Sequence, residues 1–370
     1  TEIQEREDDN IVKVHVENKA GSPSANIWYT LSIVSNLVYD PPNPARSVPK
    51  DAILSFTRNA TILNAPDKFR VAVTRLSIPS ASIPLLLYPT IPETYTITLS
   101  YVPNNLVQPV IQVTRNVVYV ASNIGDPYEG LQPVYYYQTI LDFVNTAFED
   151  AYNDIVAQVA LIGEVYQPTA TPYILYEPQT RLFKLYAQGA IGGTGYLDIE
   201  KYGIFMNKPL FDDFFSGFYS REVLAGAGNF NGIQIIVQDY GNNIIDVNGT
   251  DFVVMNEQFS SAPLFNKVDR VIVSSNMIPV TDTYIATQQQ ESTPVLLDYI
   301  LPDENLDRRR YEYDPNIYRW FDLTMTQPLK NFDVQFSILY EDGRIIRLKI
   351  NGNQRLDMSL LFTPRDCNYQ

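Results

Sequence analysis

Apolar and polar residues alternate along much of the chain, which is the pattern expected of half-buried β-strands. The clearest examples are "IVKVHVE" at 11–17 and "YTITLSY" at 95–101. Alternating or short apolar runs between turn signals predict further strands at 52–63, 69–78, 94–102, 110–122, 232–241, 243–255, 269–279, 293–300, 318–325 and 333–353, and a hairpin at 172–187. The pattern therefore predicts a mainly β fold of the sandwich or jelly-roll type.

Two dipeptides predict tight hairpin turns inside these runs. Asp342-Gly343 separates two alternating segments, and Asn248-Gly249 divides the segment 243–255. Both pairs are favoured where the backbone must adopt positive φ angles.

Two segments instead show helical spacing and interrupt the first half of the chain. Residues 138–160 place apolar side chains at i, i+3 and i+4 positions and acidic or amide side chains on the opposite face. The second helix is predicted at about 209–219, because Pro209 suits a first helical turn and four phenylalanines follow it.

The chain repeats one phrase: "FRVAVTRLSIP" at 69–79 is echoed by "DRVIVSSNMIP" at 269–279. A duplicated β unit would explain the echo, and so would convergence on a common strand ending. We predict a tail, strand and Pro-rich arm at 1–51, a first β unit with both helices at 52–231, and a second β unit at 232–370. The two units would be tandem jelly rolls or one jelly roll with an insertion.

Composition narrows the possible partners. The 370 residues carry a formal net charge of −15, and the first ten are acidic, so neutralisation of nucleic-acid phosphates by this surface is not expected. The single cysteine, Cys367, cannot form an intrachain disulfide, which favours a reducing compartment. No run of about 18 apolar residues predicts a membrane-spanning segment.

The chain offers little catalytic chemistry. His15 is the only histidine and lies in a predicted strand, and Cys367 lies in a polar tail without a base beside it. The glycine-rich stretches 189–198 and 226–232 lack the Lys-[ST] pair of a phosphate-binding loop. Asp303, Glu304 and Asp307 could ligate calcium, but their spacing fits no EF-hand and pairing with the next three arginines is the simpler explanation. We expect no catalytic residues, metal or cofactor.

We interpret the conspicuous tyrosines, prolines and arginines as candidates for subunit contacts. Three consecutive tyrosines cannot all enter one core from a strand, because successive side chains point to opposite faces. A proline-rich arm without its own core must lie on something else. The predicted interface residues are Tyr135, Tyr136, Tyr137, Pro41, Pro42, Arg308, Arg309 and Arg310.

A series of phrases between 265 and 362 carries a family resemblance. In order they are "VIVSSNMIPV", the Gln-rich "TQQQEST", "VLLDYILP", an arginine cluster, "YEYDPNIYRWFDLT", "QPLKNFDVQFSILYEDGRIIRL" and "LDMSLLF". Upstream, "TPYILYEPQTRLFKLYA" and "IFMNKPLFDDFF" fit the same family's middle region. Over about 170–362 the chain resembles the minor capsid, or penton, proteins of Polinton-like viruses and virophages.

That resemblance implies a structural virion protein with a jelly-roll fold and no catalytic residues. It further implies homopentamers at the vertices of an icosahedral capsid, surrounded by trimers of a double jelly-roll major capsid protein. Three other functions stay open at this point: a receptor-binding or spike protein, a major capsid subunit of a small virus, and a carbohydrate-active β-sandwich enzyme.

Overall fold

The computed structural model describes residues 2–7, 10–18, 25–34, 50–57, 61–88, 94–105, 107–119, 132–188, 201–223, 232–237, 243–280, 294–301, 309–350 and 354–366. Within these ranges the chain is mainly β, as the sequence predicts. No helix of the described part is long and apolar enough to cross a bilayer.

The strands and helices are as follows. The strands before the first helix are β1 (Glu2–Glu7), β2 (Asn10–Asn18), β3 (Ala25–Val34), β4 (Lys50–Asp51), β5 (Ile53–Thr57), β6 (Phe69–Pro79), β7 (Leu86–Tyr88), β8 (Thr96–Tyr101), β9 (Ile111–Asn116) and β10 (Gln132–Val134). After the helix α1 (Tyr137–Leu161) come β11 (Tyr173–Glu177), β12 (Leu182–Gln188) and β13 (Tyr202–Met206), then α2 (Lys208–Leu210), which continues as a π-helical turn at Phe211–Phe215. The remaining strands are β14 (Ser220–Val223), β15 (Gly232–Ile235), β16 (Ile244–Val247), β17 (Thr250–Asn256), β18 (Val268–Ser274), β19 (Val295–Ile300), β20 (Arg310–Tyr313), β21 (Phe321–Asp322), β22 (Asn331–Tyr340), β23 (Ile345–Arg347), β24 (Lys349–Ile350) and β25 (Arg355–Pro364).

The contacts divide the chain into two compact units. Unit 1 is formed by residues 1–84 and 267–370, and unit 2 by 85–122 and 130–266. This division differs from the predicted boundaries at 51/52 and 231/232. The reason is strand pairing: β5 pairs with β22, and β6 pairs with β20 and β25, so strands before residue 80 complete sheets whose other strands follow residue 267.

Unit 1 is a jelly roll in which unit 2 is inserted along the chain. One sheet has the order β1-β2-β3-β25-β6-β20, and the other has the order β19-β18-β22 with β5 beside β22. Number the eight strands β3, β5, β6, β18, β19, β20, β22 and β25 from first to eighth. The sheets are then first-eighth-third-sixth and second-seventh-fourth-fifth, which is the double Greek key of a jelly roll. In the sequence, unit 2 comes between the third strand, β6, and the fourth, β18.

The two sheets of unit 1 meet through aromatic side chains. Tyr29 on β3 makes edge-to-face contacts with Phe56 on β5 and Phe332 on β22, and with Phe362 on β25, its own sheet neighbour. All four rings are buried. Strand alternation places these side chains on the inner faces, so the sandwich closes around them.

Unit 2 combines two larger sheets with a helix. Its sheets have the orders β14-β15-β13-β8-β9 and β11-β12-β17-β16, and β7 pairs with β10. Helix α1 packs on β8, β9 and β11 through its apolar stripe, which includes Ile140, Val144, Phe148, Ala151 and Ile155. The predicted helix at 138–160 is therefore confirmed to within one residue at each end. The second helical segment is shorter than predicted and ends at Phe215.

The echoed phrases form β6 and β18. Both belong to unit 1, where they lie in opposite sheets of the same sandwich and flank unit 2 in sequence. The echo therefore does not mark one copy in each unit. It marks the third and fourth strands of one jelly roll.

Candidate assembly surface

The three consecutive tyrosines point alternately inward and outward. Tyr136 is 59% exposed at the N-terminal end of α1, whereas Tyr135 and Tyr137 are half-buried. The ring of Tyr137 contacts Tyr176 at 4.4 Å between centroids and lies at the border of the phenylalanine cluster of unit 2. Of the three predicted interface tyrosines, Tyr136 is thus the one that presents most of its ring outward.

The two described arginines of the predicted interface, Arg309 and Arg310, also differ in their exposure. Arg309 is exposed, and its carbonyl oxygen accepts a hydrogen bond from the Ser80 backbone N–H. Arg310 is half-buried, and its Nε donates to Ser77 Oγ at 2.7 Å. One of its terminal nitrogens donates to the carbonyl oxygens of Ser77 and Arg355 at 3.1 and 2.8 Å. Arg310 therefore ties β20 to β6 and β25 inside unit 1.

A carboxylate completes this polar network. Asp357 Oδ2 lies 3.5 Å from Arg310, and its Oδ1 accepts hydrogen bonds from Ser32 Oγ at 2.6 Å and Arg355 Nε at 2.5 Å. The network thus links β3, β6, β20 and β25 across the larger sheet of unit 1. The other predicted interface residues, Pro41, Pro42 and Arg308, lie outside the described residues.

The sequence analysis missed a surface at one edge of the jelly roll. β19 and β20 end their respective sheets on the same side of the sandwich, where the Tyr299 hydroxyl donates to the carbonyl oxygen of Glu312 at 3.0 Å. Ile300 is 62% exposed there, and Ile317, in the loop between β20 and β21, is 87% exposed. We call the residues Ile300, Tyr313, Ile317, Tyr318, Arg319 and Trp320 the edge patch.

The edge patch is held in place by ring contacts. The rings of Tyr318 and Trp320 meet edge to face at 5.9 Å, and the Arg70 guanidinium lies 4.6 Å from the Trp320 ring. Arg319 stacks on Phe321 at 5.0 Å, and its charge partly offsets the rise that burial causes in the pKa of Tyr313. The sequence signal was the density of Tyr, Ile, Trp and Arg in "YEYDPNIYRWF", because these ring and arginine types anchor many interfaces.

A second apolar surface lies at one end of unit 2. Leu161 at the C-terminal end of α1 is 86% exposed, and Val107 and Val165 are also exposed. Glu164 holds the surrounding loops, since it accepts hydrogen bonds from the Tyr101 hydroxyl and the Asn104 backbone N–H. These bonds hold the pKa of Glu164 below its usual range. The exposed apolar side chains therefore project from fixed loops.

One buried acid of unit 2 has a pKa far above that of an ordinary glutamate. Glu257 is 3% exposed, and burial raises its pKa to about 7. Ser261 Oγ contacts both Glu257 Oε1 and the carbonyl oxygen of Phe214, which can only accept. A hydroxyl has one proton, so the serine donates to Phe214 and the second contact needs a proton on Glu257. Its other oxygen accepts from the Phe183 backbone N–H at 2.8 Å.

This acid is structural. It accepts from Phe183 on β12 and contacts Ser261 in the turn after β17, and the Ser261 hydroxyl in turn reaches the carbonyl oxygen of Phe214 in the π-helical turn. Glu257 and Ser261 together thus join three segments of unit 2. Within the described residues, no group of three or more His, Cys, Asp or Glu side chains could hold a metal ion.

A family comparison decides the class of protein. The profile of the Sputnik minor capsid protein V18/19 family matches residues 27–364, most of the chain. The chain belongs to this family of viral minor capsid proteins. It is therefore a structural component of a virion and not an enzyme. No curated protein sequence matches it.

Solved structures share the fold of this minor capsid protein. A chain from the 3.5 Å cryo-electron microscopy structure of the Sputnik virophage superposes with a TM-score of 0.66 and 19% identity, over 92% of this chain and 98% of that one. The crystal structure of the mavirus penton protein superposes with a TM-score of 0.63 and 15% identity, over 92% and 99% of the two chains. The likeness in fold thus extends over nearly the whole length of the chain.

Proposed function

We propose that this minor capsid protein forms homopentamers that close the fivefold vertices of an icosahedral capsid, among trimers of a double jelly-roll major capsid protein. The observation that carries the proposal is the family match over residues 27–364, combined with a fold like that of the mavirus penton protein over 92% of the chain. A penton occupies a vertex, and a vertex relates five copies.

The surfaces of the chain support this assembly. A cyclic ring uses a heterologous contact, in which two different surfaces of each copy meet. Exposed apolar and aromatic side chains occur at the edge patch, at the end of unit 2 around Leu161, and at Tyr136. Of the residues predicted from the sequence, Tyr136 and Arg309 are the described ones that lie exposed and available for such contacts.

Charge sets the kind of contact that can close the ring. Each chain carries a formal charge of −15, so five copies repel one another at low salt. Salt at physiological strength screens charges over about 8 Å, but it does not make them attract. Burial of apolar and aromatic surface must therefore supply most of the binding free energy. The same negative charge argues against direct binding of the viral genome.

Native mass spectrometry of the purified full chain tests the pentamer. The chain mass is 42.1 kDa, so five copies give about 210 kDa. We expect this species to persist in 1 M salt, because its contacts are mainly apolar. Tyr136→Ala should weaken it, while Tyr219→Ala, at another exposed tyrosine, should not.

Two outcomes would contradict the proposal. A stable trimer would favour a spike, and release by salt alone would mean that charge and not apolar burial holds the ring. The vertex position is tested separately by imaging particles that carry a labelled copy of this chain. Label density at sites other than the fivefold axes would exclude a penton position.

A further inference from the structure

In unit 2, the buried Glu257 and Ser261 meet the end of the π-helical turn. Ser261 is fully buried, and its Oγ donates to the carbonyl oxygen of Phe214 at 2.6 Å. Phe214 lies one residue before the turn ends, where carbonyl groups lack partners within the helix. The serine hydroxyl therefore supplies the donor that this carbonyl group needs. Single π-helical turns are often found at functional positions.

The number of protons decides which of these contacts can be made at one time. When Glu257 is protonated, its O–H donates to Ser261 Oγ and the Ser261 O–H donates to Phe214. When Glu257 is ionised, the one serine proton must serve both acceptors. A charged acceptor forms the stronger hydrogen bond, so Ser261 then donates to the carboxylate. The buried carbonyl group of Phe214 loses its donor, which is unfavourable.

The same residues hold neighbouring segments in close contact. The Phe183 backbone N–H on β12 donates to Glu257 Oε2 at 2.8 Å, and the Gln258 backbone N–H donates to the Gly217 carbonyl oxygen at 2.8 Å. A Cβ at Gly217 would clash with the Phe259 carbonyl oxygen and with Glu257 Oε1. The chain just after the π-helical turn thus packs directly on the turn after β17, and a change in one segment is felt by the other.

The charged groups of these neighbouring segments do not set the charge of Glu257. On β12 and the turn before it, on α2 and the π-helical turn, and on β17, the ionisable side chains are exposed or half-buried and are Glu177, Arg181, Lys184, Lys208, Asp212, Asp213 and Asp251. Four of them form two ion pairs with one another. The pKa of Glu257 is set by its burial, which has the largest effect, and by hydrogen bonds with Ser261 and the Phe183 N–H.

From this proton count we propose that Glu257 and Ser261 form a pH-sensitive switch, in which loss of one proton releases the end of the π-helical turn from the turn after β17. In the closed form Ser261 donates to Phe214, and in the open form it donates to the Glu257 carboxylate. Burial raises the pKa of Glu257 to about 7, so the closed form is lost as the pH rises through 7. The inference concerns unit 2 alone and does not depend on the pentamer proposed above.

Hydrogen exchange of the full chain, measured by mass spectrometry at pH 5 and pH 8, tests the switch. Glu257→Gln is the reference at each pH, because dividing by its rates removes the direct effect of pH on exchange chemistry. For peptides that cover 211–219 and 257–265, the ratio of original to reference rates should rise at least ~10-fold from pH 5 to pH 8. This rise should appear at labelling times at which α1 is still protected, because the opening is local.

Two further variants show which groups are responsible. Ser261→Ala removes the hydroxyl that changes partner, so residues 211–219 should exchange at least ~5-fold faster than in the original chain already at pH 5. Asp213→Asn makes the same change of carboxylate to amide within the π-helical turn and should leave the pH response within ~2-fold of the original. Circular dichroism of each variant checks that the fold is retained.

Four outcomes would overturn the switch. The first is a rate ratio that stays constant between pH 5 and pH 8, and the second is unchanged exchange of Ser261→Ala at pH 5. The third is loss of the pH response in Asp213→Asn, which would assign the proton to Asp213. The fourth is acceleration at 211–219 that occurs only together with exchange of α1. Unit 2 would then open as a whole, and its stability would depend on pH without a local switch.

Discussion

The two units of the chain solve the same packing problem with different cores. Unit 1 closes two sheets on each other around Tyr29, Phe56, Phe332 and Phe362. Unit 2 packs two sheets and a helix around a phenylalanine cluster that includes Phe183, Phe214 and Phe265. Aromatic rings fill both interiors, so the difference lies in how each unit handles its charges.

Among the described residues each unit buries one acidic side chain, Asp333 in unit 1 and Glu257 in unit 2. Asp333 Oδ1 accepts hydrogen bonds from Ser275 Oγ and from the backbone N–H groups of Asn276 and Met277, and the other charges of unit 1 lie in surface networks. Arg310, Arg355 and Asp357 form an interlinked group on the outer face of a sheet, as do Arg270 and Asp298 on β18 and β19. In unit 2, no cation lies beside the buried Glu257 among the described residues, and burial raises its pKa to about 7. The insertion should therefore respond to pH near neutrality, where Glu257 gains or loses its proton.

The largest expected effects come from truncating one core ring in each unit. Phe332→Ala and Phe183→Ala each remove a fully buried ring and should each cost about 3–5 kcal/mol of stability, through lost burial and the cavity left behind. Hydrogen exchange monitored by mass spectrometry should show faster exchange mainly in the unit that carries the substitution.

The control for this pair is Phe259→Ala, at an exposed ring of unit 2, which should change stability by less than about 1 kcal/mol. Equal acceleration of exchange in both units by Phe332→Ala would contradict the division into two cores. The chain would then behave as one cooperative body.

The next largest expected effect is a change in the stability of unit 2 with pH, caused by proton binding to Glu257. Its pKa is about 7 in the folded protein, against 4.5 for an ordinary glutamate, so the folded state holds a proton that the unfolded chain releases over this interval. The stability that this proton contributes to unit 2 is therefore fully present below pH 4.5 and is lost as the pH rises through 7. From pH 5 to pH 8 the loss should be about 2–3 kcal/mol.

Glu257→Gln should remove most of this pH dependence, because an amide keeps the shape and cannot ionise. Its NH2 group can donate to Ser261, and its oxygen can accept from Phe183, as the neutral acid does. Thermal unfolding of both chains at pH 5 and pH 8 measures the difference. An equal shift in the two chains would mean that other groups titrate in this range.

Sequence patterns predicted the elements whose periodicity is local. Helix α1 and the Asn248-Gly249 and Asp342-Gly343 hairpins follow from spacing within single segments, and all are present. β3 and β25 also alternate, with Leu31 and Ser32 or Leu360 and Ser359 as examples, yet neither was assigned as a strand. The family phrases identified the protein class more surely than the strand pattern did.

Domain boundaries could not be read in the same way. Strands β5 and β6 pair with strands more than 230 residues later, and no local signal encodes such partners. The echo pointed to two repeated units, but the two phrases form two strands of one jelly roll, and only β6 continues to its proline, since β18 ends at Ser274. The edge patch was missed for a similar reason, because exposure at a sheet edge depends on which strands end the sheets.

The surface network of unit 1 should contribute less than the cores or the buried proton. Asp357→Ala removes the acceptor of Ser32 and Arg355 and should cost about 1–2 kcal/mol, since the buried Ser32 hydroxyl loses the group that accepts its proton. Asp342→Ala, which breaks an exposed pair with Arg344, should cost no more than about 1 kcal/mol. Urea unfolding of the two variants measures this difference, and equal costs would show that the network adds nothing beyond isolated pairs.

The smallest effects concern the two hairpin turns, one in each unit. Gly343 has a φ of 84° and Gly249 a φ of 82°, and a Cβ at either position would meet open space. Gly343→Ala and Gly249→Ala should therefore cost only backbone strain, about 1 kcal/mol each. Asparagine tolerates this conformation, as Asn248 does at a φ of 54°, so Gly343→Asn should cost less than Gly343→Ala. Urea unfolding measures both costs. Equal costs would show that the two turns contribute alike to stability, so that the units differ in their buried acidic groups and not in their turns. A much larger cost at one turn would show that its hairpin also supports the packing of that unit.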